Sequence, residues 1–313
     1  SNLTYLIYAN DIEYVLRRAP HGAKVKSGHD MQREFTILTK LKAVYSKVPE
    51  TIHYCADPNI IGAPFYLMER INGVILRGNK TTNEFISDEV ISKIADSLIT
   101  NFSDIHSIDI FKTKLNEIGK SNGYNKRQIE GWVKRYEKSK VDDLHLLERT
   151  ARWLFKNIPN DDETCLIHND YKYDNIVLNK NNLSEIKSVL DWEMCTVGNP
   201  LMDLGTTLGY WTNHNDPELM KKLNFNPSSI IGNPTREEFV HQYSLKSNKN
   251  INNIIFYYVY GIFKISVIVQ QIYHRYKHGL TNDKRFEKLD VVIKDLALIA
   301  DQAIERKKLD NLF

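Results

Sequence analysis

The chain has 313 residues, of which 42% are hydrophobic and 26% charged, so it is long enough for two lobes with a substantial core. A net charge of +3 provides no field suited to nucleic acid or an anionic membrane, and we expect neither as a partner. Cys55, Cys165 and Cys195 form no CxxC pair and favour buried thiols in a reducing, cytoplasmic compartment. Asp11 and Glu13 come too early for a secretory signal, so none is expected.

Up to residue 71, the chain is predicted to form strands around one helix. Asn10-Asp11 is a turn-prone pair between the first two strand candidates. Asp30 is a capping residue, and the apolar residues after it are spaced for one helical face. The strand candidates are Leu3–Ala9, 13–18, Thr51–Cys55 and 64–69, and the apolar stripe of the helix is Met31, Phe35, Leu38 and Leu41.

The remainder is predicted to be mainly helical. In chain order, the signals are a helix start at Ser87 and Asp88, a helix end at Pro159, a capping box at Thr235 and Glu238, and long helices over 251–277 and 283–307 separated at Gly279. The most apolar stretch, 254–272, contains Lys264, Gln270 and Gln271. A membrane span needs about 20 predominantly apolar residues, so a buried core helix is predicted there.

One β-hairpin is predicted within this helical region. Apolar runs at 176–178 and 186–190 are joined by a polar turn over 179–182, and a further short run, 165–167, precedes them. The two ends of a hairpin lie together, so Asn175 is expected beside Asp191. Asp170 is only five residues upstream of Asn175, so three metal- or proton-handling side chains converge.

This set of side chains fits phosphoryl transfer. That reaction needs a divalent metal to bridge the phosphates and a group that orients the attacking hydroxyl. Mg²⁺ prefers oxygen ligands and keeps several waters, so one carboxylate and one amide oxygen suffice. Asp191 and Asn175 provide that pair, and Asp170 is placed to accept the hydroxyl proton.

The motif residues resemble those of a known family. Residues 168–175, HNDYKYDN, match the H-x-D-x-x-x-x-N loop of the aminoglycoside phosphotransferases and their choline kinase-like relatives. Asp191 stands where that family carries its metal-binding Asp, and 198–205, GNPLMDLG, is similar to its G-D-P-x-x-D-L segment. Segments of the small lobe and residues 270–276 extend the resemblance nearly end to end. It is strongest to the branch found fused to some acyl-CoA dehydrogenases.

In the large lobe, the resemblance implies four roles. Asp170 would be the catalytic base, and Asn175 and Asp191 would bind Mg²⁺. Glu193 would contact a second metal directly or through water. His168 is expected to be structural, bonding nearby backbone.

In the small lobe, the resemblance implies the nucleotide contacts. Arg17 takes the place of the strand lysine that holds the α- and β-phosphates, and Glu34 that of its helix partner. Met68 would guard the adenine pocket, with the Glu69 carbonyl and the Ile71 amide as hinge contacts.

The chain departs from the family pattern at four places. Asn169 stands where Gly is usual, Asn199 where Asp is usual, and Arg17 where Lys is usual; a guanidinium is not equivalent to an ammonium. The first residues, 1–5, correspond to the second half of the family's phosphate-covering loop, so the native protein is expected to begin earlier.

Together these observations predict an α+β, bilobal, protein-kinase-like fold, with a small lobe over 1–71 and a mostly helical lobe over 72–313. The expected activity is ATP- and Mg²⁺-dependent transfer of the γ-phosphoryl group to a hydroxyl of a small molecule, with a neutral or anionic acceptor such as a hydroxyacyl-CoA. The alternatives are an aminoglycoside phosphotransferase and a nucleotide-binding pseudokinase scaffold. A protein kinase is disfavoured, since no GxGxxG and no A-P-E segment occurs. Whether Tyr210-Trp211 and His274-Arg275 line the acceptor pocket or belong to the core is left open.

Overall fold

The predicted N-terminal strands form one antiparallel sheet in the computed structural model, which describes residues 2–20, 30–78, 86–160, 163–223 and 225–313. The strands are β1 (Leu3–Ala9), β2 (Ile12–Arg18), β3 (Thr51–Cys55) and β4 (Phe65–Glu69), in the order β1-β2-β4-β3. Asn10 and Asp11 both have positive φ, 50° and 61°. Two such residues form the tight turn that matches the twist of a hairpin, and the Asn-Asp pair tolerates it.

Helix α1 (Met31–Lys42) packs on this sheet. Its N-cap is Asp30, whose side chain accepts a hydrogen bond from the Arg33 amide, as the sequence predicts. The buried face also contains a charged residue, Glu34, with only 2% of its surface exposed. A buried carboxylate needs a partner, and this one points toward β2 and the candidate site.

The rest of the described chain is mostly helical. The helices are α2 (Pro58–Ile61), α3 (Asp88–His106), α4 (Tyr124–Ser139), α5 (His145–Lys156), α6 (Pro200–Gly209), α7 (Glu218–Lys221), α8 (Arg236–Ser247), α9 (Ile254–Lys277) and α10 (Leu289–Arg306). The caps predicted at Ser87 and at Thr235 with Glu238 are present. Helix α4 was not predicted, because its sequence is dominated by charged residues around a narrow apolar face.

Some predicted helix ends are wrong. Helix α5 ends at Lys156, before Pro159, and α9 begins at Ile254 rather than at residue 251. Helix α10 begins at Leu289, six residues later than predicted, because Asp283 caps a separate 3-10 turn over Lys284–Phe286. Asp283 is thus a capping residue, but it begins a single turn and not the long helix.

Helix α9 is the core of the large lobe. It is long and apolar enough to cross a membrane by composition alone, yet 78% of its apolar window is buried inside the protein. It crosses α6 where two glycines meet: a Cβ on Gly261 would lie 1.9 Å from the Gly205 carbonyl oxygen. This close backbone contact fixes α9 against α6. It places Lys264, one turn after Gly261, next to the candidate site.

Two short two-stranded sheets complete the described fold. Strands β6 (Ile176–Asn179) and β7 (Asn182–Val189) form the predicted hairpin. Strand β5 (Cys165–Ile167) pairs with β8 (Thr196–Gly198), a three-residue strand that carries too little pattern to be predicted. Val74 bridges to Leu178 of the hairpin, so the chain joins the large lobe soon after β4. A lobe boundary after residue 71 stays a prediction.

Candidate active site

A cavity of about 410 Å³ lies between the sheet and the β6–β7 hairpin. Its apolar end contains Val15 and Met68, which are opposite each other on β2 and β4, and its polar end contains the acidic and amide groups of the hairpin. The predicted site residues that line it are Arg17, Glu34, Met68, Glu69, Ile71, Asn175 and Asp191. Residues from both lobes therefore meet around one space.

The hairpin brings Asn175 and Asp191 together as predicted. Ile176 pairs with Val189, and the Leu190 amide donates to the Asn175 carbonyl oxygen over 2.8 Å. The Asn175 Nδ2 donates to the Asp170 carbonyl oxygen and to Asp170 Oδ2, each over 2.9 Å. Because the amide nitrogen is used in this way, Asn175 Oδ1 is the atom left to bind a metal.

Arg17 joins three acidic side chains at the polar end of the cavity. Its guanidinium lies 3.1 Å from Glu34 Oε1, 3.1 Å from Asp191 Oδ1 and 3.2 Å from Glu193 Oε2. Burial by itself would lower the pKa of Arg17, but Glu34 and its other neighbours raise the pKa by more than burial lowers it. The pKa therefore lies above the ordinary arginine value, and the group stays charged. The planar fork can contact several carboxylates at once, which a single ammonium does less well.

The three carboxylates of this cluster exceed what the single positive charge of Arg17 can neutralise. Burial raises the pKa of Glu34 to about 7, and Arg17 only partly opposes it. Burial and Asp191 raise the pKa of Glu193 to about 7 as well. Crowded carboxylates with raised pKa values gain from a divalent cation.

The donor set fits Mg²⁺. It offers the Asn175 amide oxygen and the Asp191 carboxylate, whose side chain is 36% exposed and lines the cavity. Glu193 follows Asp191 on the same short loop. Oxygen donors of this number are what Mg²⁺ takes when phosphates and water complete its shell. In the described part of the chain, no three His, Cys, Asp or Glu side chains form a ready-made metal cluster.

Asp170 is positioned by a buried carboxylate that was not predicted as a site residue. Asp203 Oδ2 accepts from the His168 amide over 2.6 Å, and Oδ1 from the Asn169 amide over 2.8 Å. Burial alone would raise the pKa of Asp203, but the hydrogen bond with His106 and the nearby imidazoles lower it below its usual range. The signal was present in the segment 198–205, where Asp203 is the acidic residue.

His168 is structural in this geometry, as predicted. It is wholly buried, and its Nδ1 accepts from the Asp170 amide over 3.2 Å, while its Nε2 lies 3.0 Å from the Leu190 carbonyl oxygen. Burial lowers the pKa of His168, so the ring is neutral and Nε2–H is the donor. The imidazole thus joins the Asp170 loop to the residue before Asp191.

Lys172 is a second site residue that was not included in the predicted set. Its Nζ lies 2.8 Å and 2.7 Å from the two carboxylate oxygens of Asp170, and 4.6 Å from the centre of the Tyr210 ring. A lysine only two residues from Asp170 was the available sequence signal. The ion pair fixes the orientation of the Asp170 carboxylate and places a cation beside it.

Tyr210, Trp211 and His274 lie in different environments. Tyr210 lies against Lys172, whereas Trp211 is buried in the core and donates to the Pro234 carbonyl oxygen. The His274 ring lies against the His278 ring near the end of α9, with the ring centres 4.0 Å apart. At 1.5 Å per residue, it is about 15 Å along the helix from Lys264, which contacts the Asp170 loop.

At two positions where this chain departs from the family pattern, Asn169 and Asn199, the residue adopts the local geometry that suits the usual one. Asn169 has φ 68°, in the left-handed region that Gly adopts freely and Asn tolerates. Asn199 caps α6, with its Oδ1 accepting from the Leu201 amide over 2.8 Å, as an Asp would.

On α1, Arg33 donates to the Cys195 carbonyl oxygen over 2.5 Å and so links the small lobe to the loop after Asp191.

Comparison with known proteins identifies the family. The profile of the phosphotransferase enzyme family matches residues 1–237. The chain belongs to this family. Acyl-CoA dehydrogenase family member 11 of Homo sapiens is 34% identical over 287 residues, which cover 89% of this chain and 36% of that protein. Acyl-CoA dehydrogenase family member 10 of Mus musculus is 31% identical over 303 residues, or 96% of this chain and 28% of that protein. The chain spans about a third of the length of these relatives.

Solved structures confirm the predicted bilobal, kinase-like fold. A candidate aminoglycoside phosphotransferase from Ralstonia eutropha superposes with a TM-score of 0.82 at 24% identity, covering 98% of this chain and 92% of that one. A spectinomycin phosphotransferase solved with ADP and spectinomycin gives a TM-score of 0.58 at 14% identity, covering 96% and 89%. The resemblance to the dehydrogenase-fused branch, inferred from motifs, is confirmed by the curated relatives.

Proposed function

We propose that this chain is an ATP- and Mg²⁺-dependent phosphotransferase that moves the γ-phosphoryl group to a hydroxyl of a small molecule. The observation that carries the proposal is the hydrogen bond between Asn175 Nδ2 and Asp170 Oδ2, made at the hairpin mouth where Asp191 also lies. Asp170, the proposed proton acceptor, is thereby held next to Asn175 and Asp191, the proposed metal ligands, which line a cavity shared by both lobes. Membership of the phosphotransferase enzyme family supports the same activity.

Each side chain then has a defined task. Asp170 orients the acceptor hydroxyl and takes its proton, while Lys172 and Asn175 hold the carboxylate in place. Asn175 Oδ1 and Asp191 would hold Mg²⁺, with Glu193 as a further contact, and the bound ion would offset the charge of the phosphates.

The nucleotide occupies the cavity in this proposal. Arg17, oriented by Glu34, binds the α- and β-phosphates, and Met68 packs against the adenine. Glu69 and Ile71 follow β4 at the cavity wall, where their backbone groups can bond to the base edge. We further propose that the protein is cytoplasmic and acts on its substrate without nucleic acid or membrane partners.

The acceptor is proposed to be neutral or anionic, as in a hydroxyacyl-CoA. Lys172 places a cation within 2.8 Å of both Asp170 oxygens, where the acceptor hydroxyl must bind. A polycationic acceptor would meet this ammonium directly, while an anionic one gains from it. Curated relatives named as acyl-CoA dehydrogenase family members support an acyl-CoA setting.

ADP release with Mg-ATP and a panel of hydroxyl compounds tests the proposal. The panel contains hydroxyacyl-CoAs, neutral alcohols and kanamycin-type aminoglycosides, each at low salt. Turnover of an anionic compound is the expected result. Mg-ATP binding without any turnover would favour the pseudokinase scaffold, and an aminoglycoside kcat/KM of about 10⁴ M⁻¹s⁻¹ or higher would overturn the anionic acceptor.

A further inference from the structure

Every polar group of the residue before Asp170 is bound within the described structure. The Asn169 amide donates to Asp203 Oδ1 over 2.8 Å, and its carbonyl oxygen accepts from Lys264 Nζ over 2.8 Å. The side-chain Nδ2 donates to the Met194 carbonyl oxygen over 3.1 Å, and the Tyr124 hydroxyl lies 3.4 Å from Oδ1. The peptide that leads into Asp170 therefore has little freedom to rotate.

The carbonyl contact uses a buried charge. Lys264 is 2% exposed and lies one turn beyond the α6–α9 crossing at Gly261. Its remaining described polar contact is Thr206 Oγ1 at 3.4 Å, with the Trp132 ring centre 5.9 Å away. Burial lowers the pKa of Lys264 to about 8, although Asp203 and Asp170 oppose the shift. Burying an ammonium is costly, and here the main contact it makes is with the peptide next to Asp170.

The side-chain contact joins two loops. Met194 is three residues after Asp191 and belongs to the turn Trp192–Met194 that carries Glu193. The side-chain amide of Asn169 thus connects the loop of the proposed base to the loop that carries Asp191 and Glu193. Gly, which is usual at this position in the family, would accept φ 68° equally well but has no side chain to make this contact.

We propose that Asn169 and Lys264 are positioning residues that hold Asp170 in register with the Asp191 loop. Lys264 fixes the orientation of the peptide between residues 169 and 170. The Asn169 side chain then holds the Met194 carbonyl group at a fixed distance from that peptide. The inference rests on the proposed phosphotransferase function for its effect on rate, but the coupling between the two loops does not depend on turnover.

Three variants test this coupling. Asn169→Gly keeps the left-handed backbone and removes the bridge, and Asn169→Asp keeps the side-chain size but removes the donor. Lys264→Met removes the ammonium. Asn248→Gly is the matched control for the first, because Asn248 also has positive φ, 53°, and lies at the end of α8, away from the site. Lys277→Met, exposed on the same helix, is the control for the third.

Hydrogen exchange and steady-state kinetics give separate readouts. Relative to Asn248→Gly, Asn169→Gly should exchange faster over both 168–175 and 192–198, and its kcat should fall about 10- to 100-fold, with the ATP KM within about twofold. Unchanged exchange over 192–198, or a kcat equal to that of the control, overturns the proposal. If Lys264→Met does not fold, the two Asn169 variants still decide it. If the wild type binds Mg-ATP but never releases ADP, the proposed function fails, and exchange alone decides the coupling.

Discussion

At the scale of single residues, the site depends on how Asp170 is held. Its two oxygens face Lys172 at 2.8 Å and 2.7 Å, and Oδ2 also accepts from Asn175. The carboxylate therefore has a fixed orientation without any bound ligand. Such preorganisation suits the proposed role of Asp170 as a base, since little rearrangement would be needed on binding of an acceptor hydroxyl.

Replacing Asp170 by Asn should abolish most turnover and leave nucleotide binding intact. An amide keeps the size and can still accept from Lys172, but it cannot take a proton. The loss expected for a general base is about 10²- to 10⁴-fold in kcat. ADP release and calorimetry with Mg-ATP measure the two effects, and Asp142→Asn, at an exposed position, is the control. Wild-type turnover in Asp170→Asn would refute the assignment.

Asp191→Asn should weaken the Mg²⁺ dependence of ATP binding, while adenosine binds as before. Asn is preferred to Ala because Asp191 has φ 64°, which Ala adopts only with strain. The variant loses the charge that Mg²⁺ needs but keeps the side-chain shape. Calorimetry with ATP at several Mg²⁺ concentrations tests this, and an unchanged Mg²⁺ dependence would contradict the metal role.

At the scale of elements, one ion pair links β2 to α1. Glu34 on α1 is 2% exposed, and the Arg17 guanidinium on β2 lies 3.1 Å from its Oε1. Arg33 extends the link by donating to the Cys195 carbonyl oxygen. The helix, the sheet and the Asp191 loop are therefore held together by neighbouring residues of α1.

Removing Arg17 should destabilise the fold by more than the lost contact alone. Arg17→Met leaves Glu34 buried without its cation, a change that typically costs about 3–5 kcal/mol in the free energy of unfolding. Adding Glu34→Gln should recover part of the loss, since a neutral amide is less costly to bury. Urea unfolding of the single and double variants measures this coupling. Strictly additive losses would show that the pair is not coupled.

The crossing of α6 and α9 depends on the absence of a side chain. A Cβ at Gly261 would lie 1.9 Å from the Gly205 carbonyl oxygen, a backbone atom that cannot move freely. Gly261→Ala should therefore destabilise the protein by about 1–3 kcal/mol, as overpacking does. Gly131→Ala on α4 is the control, because its Cβ would meet only the end of the Arg135 side chain at 3.1 Å. That change should be neutral or stabilising, and equal urea midpoints for both variants would contradict the prediction.

At the scale of the whole molecule, the acidic cluster makes stability depend on pH. The pKa of Glu34 is about 7, against an ordinary value of 4.5, so the folded state binds more protons between these pH values. Its contribution to stability is complete below about pH 4.5 and is lost as the pH rises through 7. The free energy of unfolding of the wild type should therefore fall relative to that of Glu34→Gln over this window.

Urea unfolding at pH 5 and pH 8 measures the difference between the two proteins. Glu137→Gln, at an exposed position on α4, is the control and should track the wild type at both pH values. A constant difference between wild type and Glu34→Gln would show that Glu34 does not titrate in this window. Mg-ATP should reduce the loss near pH 7, because a bound cation would offset the repulsion within the cluster.

The sequence alone determined the features that depend on neighbouring residues. The Asn10-Asp11 turn, the Asp30 and Ser87 caps and the β6–β7 hairpin follow from local backbone preferences, and the hairpin itself places Asn175 beside Asp191. The motif spacing then suggested Asp170, and the family resemblance suggested the pairing of Arg17 with Glu34.

The tertiary structure decided what depends on residues far apart in the chain. The β5–β8 pairing, the contact of Asp203 with the Asp170 loop and the placement of Lys264 against Asn169 join residues that are 29 to 95 positions apart in the chain. Three-residue strands and single buried charges leave no periodic pattern in the sequence. Their partners are set by how distant segments pack together, and the spacing of neighbouring residues does not reveal them. Helix α9 shows the same limit: its composition predicts burial, but only its crossing with α6 puts Lys264 next to the proposed base.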